Sequence, residues 1–228
     1  MNLPRTCARH AEPGALNAPQ IVFEASAVPR QFITISHTTS IPLLSTFMAK
    51  YWKLRKPEVL ITVTGGAQDF ALTPSQLNAF ETGLNSAAKS TKAWIISAGS
   101  DAGVMKLVGK AMKFEKENKV VIGIFSWGVT NGREGMGSVS NAVHGQTIAY
   151  AAEKASGNGA PLNPDHTHFV LVDNGKEGGA AWGGEIKVRA ARSPHAPNQQ
   201  APCMSMSAMR SAVARRRCCR CARRSRPT

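Results

Sequence analysis

The 228-residue chain lacks the features of a secreted or membrane-spanning protein. Cysteine is scarce: of five residues, four (203, 218, 219 and 221) lie near the C-terminal end, so no disulfide framework spans the sequence. No run of about 18 apolar residues is present, and the first 14 residues have no apolar core of the signal-peptide type. We therefore expect a soluble chain suited to a reducing cytosol, with no direct membrane insertion.

Acidic residues are also few, and the charge is unevenly spread. The chain carries 28 Lys and Arg against 14 Asp and Glu, a net charge of +14. From Ala190 onward there are nine Arg and no acid, which leaves +5 for the rest. The high pI therefore describes the C-terminal segment rather than the whole chain.

Two segments have no hydrophobic periodicity. Residues 1–30 are rich in Pro and Ala, and residues 190–228 contain Ser, Ala, Met, Cys and Arg but no aromatic residue. We expect both to be disordered, since they cannot bury enough apolar surface to offset their chain entropy. The basic tail could bind nucleic acid non-specifically, but it lacks the aromatic platform of a specific site.

Between these ends the sequence predicts alternating strands and helices. The clearest part, Glu58 to Lys113, contains two successive strand, glycine-rich loop and helix units. Strands covered on both faces read as continuous β-branched runs, and Thr73-Pro74 is typical of a helix start. The predicted strands are Gln31–Ser36, Val59–Val63, Ala93–Ser97, Val120–Phe125 and His168–Val172, with helices at Ile41–Trp52, after Thr73 and at Gly103–Lys113.

This alternation predicts an α/β fold: a Rossmann-like parallel sheet with helices on both faces, spanning residues 31–189. Residues 127–163 are Gly-rich and weakly periodic, so we expect mostly loop, with a short helix near Ile148–Lys154.

Three glycine-rich loops each follow a predicted strand: residues 64–70 (TGGAQDF), 97–103 (SAGSDAG) and 173–184 (DNGKEGGAAWGG). Such loops line the crevice at the carboxyl ends of parallel strands, where glycine and a helix N-terminus suit a phosphate. None is a GxGxxG or a GxxxxGK[ST] motif, so a classical dehydrogenase or P-loop NTPase is not supported. The candidate ligand-binding residues are Thr64, Gly65, Gly66, Ala67, Gly99, Ser100 and Gly103.

Other polar residues are weaker candidates. Asp101, Asp173 and Glu134 could act as bases, cap helices or bond to sugar hydroxyls. His166 and His168 flank Thr167, so a strand would point both the same way, but no third metal ligand is evident. We therefore predict no metal site and no catalytic residue.

Four motifs carry a family resemblance. They are KPEVLITVTGGA (56–67), AWIISAGSDAGVMKLVG (93–109), IGIFSWGVTNGRE (122–134) and LNPDHTHFVLVDNG (162–175). In this order they closely resemble the cytoplasmic N-terminal domain of melastatin-type transient receptor potential (TRPM) cation channels. That domain belongs to the SLOG group of Rossmann-like nucleotide sensors.

The resemblance implies a regulatory domain of a tetrameric, calcium-permeable channel, with ADP-ribose or a related adenine nucleotide as ligand and no further cofactor. In the ADP-ribose-gated members an aromatic stacks on adenine and an Arg follows seven residues later. Trp182 and Arg189 stand at those positions within WGGEIKVR. Family members continue past this Arg, and the Arg/Cys-rich tail is unlike any part of them. We therefore expect a fragment from a truncated or mis-joined gene, with the sheet incomplete on its C-terminal side and no pore.

Two other functions stay open at this point. Related SLOG proteins include nucleotide phosphoribohydrolases, but their PGGxGTxxE motif is absent here, and we expect no enzyme. A nucleic-acid binder would depend on the basic tail alone.

Overall fold

The computed structural model describes residues 18–24, 26–113, 119–136, 146–151, 159–191 and 203–205. Within them the chain forms one eight-stranded sheet and four α-helices. The strands are β1 (Gln20–Phe23), β2 (Ser26–Ser36), β3 (Leu60–Thr62), β4 (Trp94–Ser97), β5 (Val120–Ser126), β6 (Thr147–Tyr150), β7 (His168–Asp173) and β8 (Cys203–Ser205). The helices are α1 (Ile41–Lys50), α2 (Pro74–Thr91), α3 (Gly103–Lys113) and α4 (Ile186–Ala191).

The strand order is β6-β1-β2-β7-β5-β4-β3-β8. Every neighbouring pair is parallel except the β1–β2 hairpin. The predicted α/β class with a parallel sheet is confirmed. Because parallel strands end at one edge, the loops after β3, β4, β5 and β7 are placed side by side.

Helices cover both faces of the sheet. On one face, α1 and α4 pack through Leu44, Met48 and Val188 against Val170 and Val172 of β7. On the other, α2 and α3 pack on β3 and β4; these contacts involve Phe80, Leu84, Val108, Ile61 and Ile95. The central strands are therefore buried on both faces, which explains their uninterrupted apolar sequence.

The predicted start of α2 is confirmed in detail. The Thr73 hydroxyl accepts a hydrogen bond from the Gln76 backbone N–H at 3.3 Å, and the Gln76 side chain accepts one from the Thr73 N–H at 3.0 Å. This capping box, with Pro74 in the first turn, satisfies two backbone groups that the helix leaves unpaired.

The helix predicted near Ile148–Lys154 is wrong at its start, because residues 147–150 form β6. This strand pairs in parallel with β1, and the Tyr150 ring packs edge-on against Phe23 with ring centroids 4.9 Å apart. Pairing with a distant strand outweighed the weak local pattern. Residues 152–158 lie outside the described part of the chain.

Two further differences concern the expected disordered ends. Strand β1 and the start of β2 fall within residues 1–30, and β8 falls within residues 190–228. Strand β8 pairs in parallel with β3 along its outer edge, where backbone groups would otherwise lack sheet partners. Backbone pairing needs no apolar periodicity, so the composition did not reveal it. The remaining residues of those predictions lie largely outside the described ranges.

Among the helices in the described part of the chain, none combines the length and the hydropathy that a membrane crossing requires.

Candidate functional site

The first two glycine-rich loops meet at the carboxyl edge of the sheet. Thr64, Gly65, Gly66 and Ala67 are all exposed after β3. The Val104 backbone N–H donates to the Gly66 carbonyl at 3.3 Å, and a Cβ added at Gly103 would collide with that same carbonyl oxygen. The structure therefore brings these predicted site residues together, in a contact that depends on glycine at position 103.

The N-terminus of α3, which the sequence offered to a phosphate, already carries an anion. The Asp69 carboxylate accepts a hydrogen bond from the Gly103 N–H at 2.7 Å and lies 3.9 Å from the Lys106 ammonium. A carboxylate is stabilised there by the unpaired N–H groups and the helix dipole. Sequence reasoning did not assign this role to Asp69, although the residue lies within the first loop.

Gly99 and Ser100 are buried rather than open to a ligand. Gly99 has φ +82°, and a Cβ there would lie 2.6 Å from the Cα of Gly123 in β5. Ser100 forms an isolated bridge with Leu162. Gly99 therefore packs against β5 and Ser100 against Leu162, so both residues hold the second loop from its buried side.

A buried polar network extends this support. The Ser97 hydroxyl lies 2.7 Å from Nε2 of His166, and His166 Nδ1 lies 3.1 Å from the Asn163 side-chain oxygen. The Asn163 amide in turn donates to Asp101 at 2.8 Å. The Ser97–His166 pair resembles a nucleophile and its general base. Both side chains are fully buried, so no substrate can reach them. The network fixes the loop that contains Asp101.

The two histidines do not form a joint site. Burial lowers the pKa of His166 to about 3 and that of His168 to about 4, with the nearby Arg30 charge as a smaller cause in each. His166 packs near Phe169, whereas the His168 ring lies 4.8 Å from Trp52 on the α1 side. The expectation that both point the same way is wrong, because His166 precedes the strand. No metal-ligating group of three occurs in the described ranges.

The third loop presents Trp182 at the surface. The residue is 44% exposed, and its indole packs edge-on against Phe125 of β5, with centroids 5.6 Å apart. The Ser126 hydroxyl donates to the Ala181 carbonyl at 2.7 Å, and a Cβ at Gly128 would collide with the Lys176 carbonyl. The end of β5 therefore holds the loop closely and leaves a large part of the indole accessible.

Arg189 is paired with the residue that directly precedes its own helix. Its guanidinium donates to the Glu185 carboxylate at 3.2 Å, and the two side chains are only 18% and 7% exposed. The second Glu185 carboxylate oxygen is buried with no hydrogen-bond partner. The sequence pointed to Arg189 but gave no sign of Glu185, which holds the guanidinium in place.

Beside the third loop lies a cavity of about 320 Å³. Its described lining comprises residues 128–134, Gly159, Glu177 and Gly178. Glu134, one of the three acids considered from sequence, is at this cavity, whereas Asp173 accepts from the Gly175 N–H at 2.8 Å in a local turn. Sequence reasoning missed Arg133, although it stands in the quoted motif at 122–134.

Comparison with known proteins agrees with this architecture. A family model described as SLOG in TRPM matches residues 30–210. The chain belongs to this family. The SLOG match covers all the loops described above, so the family relation and the candidate site concern the same part of the chain.

Several channel subunits are similar to this SLOG chain. Transient receptor potential cation channel subfamily M member-like 2 of Nematostella vectensis is 42% identical over 166 residues, covering 70% of this chain and 10% of the relative. Subfamily M member 2 of Mus musculus is 36% identical over 167 residues, covering 70% and 11%. Subfamily M member 6 of Homo sapiens is 33% identical over 180 residues, covering 77% and 9%. The matched region spans about a tenth of these relatives.

Proposed function

We propose that this SLOG domain is a ligand-sensing regulatory domain at the cytoplasmic face of a melastatin-type cation channel, and that it binds ADP-ribose or a related adenine nucleotide. The observation that carries the proposal is the exposed Trp182 indole, held by the end of β5 beside two other strand-end loops. Relatives named as cation channels support the channel context.

The chemistry of the exposed indole favours a flat aromatic ligand. An indole face can cover a purine, and base stacking on an aromatic residue is worth about 1–3 kcal/mol by alanine substitution. Phe125 holds the Trp182 ring edge-on, which limits the orientations of the indole before a base arrives. Such pre-organisation reduces the entropy lost on binding.

The phosphates of the nucleotide would have to compete for charged partners. Arg189 is held by Glu185 at 3.2 Å, and the α3 N-terminus is bonded to Asp69. A diphosphate that bound Arg189 would displace the Glu185 carboxylate. One that bound the N-terminus of α3 would displace the Asp69 carboxylate. Binding would then move the loop or helix that carries the displaced carboxylate, and a conformation with higher ligand affinity would be favoured in a larger assembly.

Calorimetry on the purified full chain tests the proposal. ADP-ribose is titrated into wild type, Trp182→Ala and Trp182→Phe. We expect Trp182→Ala to weaken binding roughly 5- to 150-fold, equivalent to about 1–3 kcal/mol, and Trp182→Phe to retain much of it because a smaller ring still stacks.

Circular dichroism establishes that each variant is folded. Val28→Ala provides a control, because Val28 is 53% exposed on β2, far along the chain from the third loop. The absence of heat from a folded sample with any adenine nucleotide at millimolar concentration would refute the proposal.

A further inference from the structure

Four glycines contribute to the described lining of the cavity next to the third loop: Gly128, Gly132, Gly159 and Gly178. A Cβ added at Gly178 would meet no atom within 4 Å, so a ligand can approach the backbone closely at this position. The cavity has a volume of about 320 Å³, at the lower end of the range of small-molecule sites. It therefore has room for one ring-sized group.

The Arg133 guanidinium in the lining is held by several oxygen partners. The Arg133 guanidinium donates to the Gly128 carbonyl, lies 3.0 Å from the Glu177 carboxylate and 3.7 Å from that of Glu134, and is 19% exposed. The two glutamates are 80% and 78% exposed, so their carboxylates keep lone pairs open for further donors.

One side chain in the lining, Asn131, has a hydrogen-bond donor without an acceptor. The side-chain N–H₂ of Asn131 is buried and makes no hydrogen bond, although Asn131 also lines the cavity. A buried donor without an acceptor is costly. A ligand oxygen that reached this amide would remove that cost.

The charge balance selects among possible ligand groups. Glu134 and Glu177 together outweigh the one guanidinium, so the described lining carries a net negative charge, which disfavours a phosphate. A neutral diol suits it better: its hydroxyl protons can be donated to the carboxylates, and its oxygens can accept from Asn131. Carboxylates serve the same purpose for ribose hydroxyls in dinucleotide-binding folds.

The cavity lining and Trp182 are close together along the chain. Glu177 and Gly178 begin the 3₁₀ turn Gly178–Ala181, and Trp182 directly follows it. We propose that this cavity is a sugar subsite that binds the vicinal diol of a ribose-type group. The inference rests on the proposed function, because it assigns the ribose of the nucleotide whose base stacks on Trp182.

Chemical-shift mapping by NMR on the full chain tests the subsite with probes that lack base and phosphate. Methyl β-D-ribofuranoside is added at about 20 mM, since ligands of this size bind weakly. We expect concentration-dependent shifts of the amides of residues 128–134 and 177–178. The 2-deoxy analogue should bind about 3- to 10-fold more weakly, because one hydroxyl bond is lost.

Asn131→Ala and Glu177→Gln should each reduce the riboside affinity at least about threefold, as expected for one lost or weakened hydrogen bond. Glu81→Gln on α2 is a matched control that leaves the affinity unchanged, because it lies outside the cavity lining. Amide spectra establish that each variant is folded.

ADP-ribose, added in the same experiment, separates the two proposals. Riboside shifts at the cavity without any ADP-ribose effect at Trp182 would support the subsite and refute the nucleotide site. ADP-ribose binding at Trp182, with no shift at residues 128–134 from either compound, would overturn the subsite alone. Equal affinity for the riboside and its deoxy analogue would also overturn it, and no binding of either compound would overturn both proposals.

Discussion

The hydroxyl oxygen of Ser97 lies 2.7 Å from Nε2 of His166, and both side chains are fully buried. The Asn163 amide nitrogen donates to Asp101, so the Asn163 side-chain oxygen is the acceptor, and it accepts hydrogen bonds from the Asp165 N–H at 3.0 Å and from His166 Nδ1 at 3.1 Å. That assignment leaves Nε2 as the acceptor of the Ser97 hydroxyl. The imidazole is therefore neutral, and it joins the end of β4 to the segment before β7.

This arrangement predicts a loss of stability in acid. Burial lowers the pKa of His166 from 6.5 to about 3, so between these values the unfolded state binds more protons than the folded state. The free energy of unfolding should fall as the pH is lowered from 6.5 toward 3. In urea titrations at several pH values, His166→Gln should lower stability near neutrality and flatten this dependence.

His168, with its pKa lowered to about 4, contributes to the same dependence, so His166→Gln removes only part of the slope. His37→Gln is the control, because this imidazole is exposed on the turn after β2. An unchanged slope in His166→Gln would contradict the assignment.

Alanine should have opposite effects on stability at Gly103, in the contact between the first two loops, and at Gly83, on α2. Gly103 has φ +52°, and a Cβ there would collide with the Gly66 carbonyl, so Gly103→Ala should destabilise the protein by about 2–4 kcal/mol through strain and overpacking. Gly83, in the interior of α2, has no atom within 4 Å of an added Cβ. Gly83→Ala should stabilise by about 0.5–1 kcal/mol.

Urea unfolding at neutral pH measures both glycine variants. Two variants of equal stability would show that the contact at Gly103 is unimportant.

The carboxylate at the start of α3 predicts an electrostatic contribution from Asp69. Asp69→Asn keeps an acceptor for the Gly103 N–H but removes the charge, so stability should fall by about 0.3–1 kcal/mol at low ionic strength. The difference should narrow in about 1 M salt because exposed charges are screened.

Thermal or urea unfolding of wild type and Asp69→Asn at both salt concentrations provides the measurement. Glu58→Gln, an exposed acid just before β3, is the control. A difference between wild type and Asp69→Asn that does not depend on salt would mean that Asp69 acts by shape rather than by charge.

Much of the fold could be predicted because its signals are local. Val120–Phe125 and His168–Val172 read as buried strands from their apolar, β-branched sequence, and both lie at the centre of the sheet. The strand at 147–150 was missed, since only Tyr150 in it is fully buried and its pairing partner is more than a hundred residues away. Because β6 lies at the edge of the sheet, most of its side chains are not buried, and it lacks the run of apolar residues from which a strand is predicted.

The candidate site divides in the same way. The sequence located the glycine-rich loops and Trp182, because glycine, strand ends and an aromatic residue in a motif can be recognised from short stretches. It did not show that Gly99 and Ser100 are buried, that Asp69 bonds the start of α3, or that Arg133 joins Glu177 at a cavity.

By itself the sequence determined the family, the five predicted strands and three predicted helices of the central sheet, and the carboxyl edge at which the loops gather, since periodicity and turn residues act over a few positions. Only the tertiary structure decided which side chains meet there. Asp69 and Gly103 are 34 residues apart, and Ser97 and His166 are 69 apart. Such contacts are set by the order of strands within the sheet and by the loops that cross its edge, so no local sequence pattern reveals them.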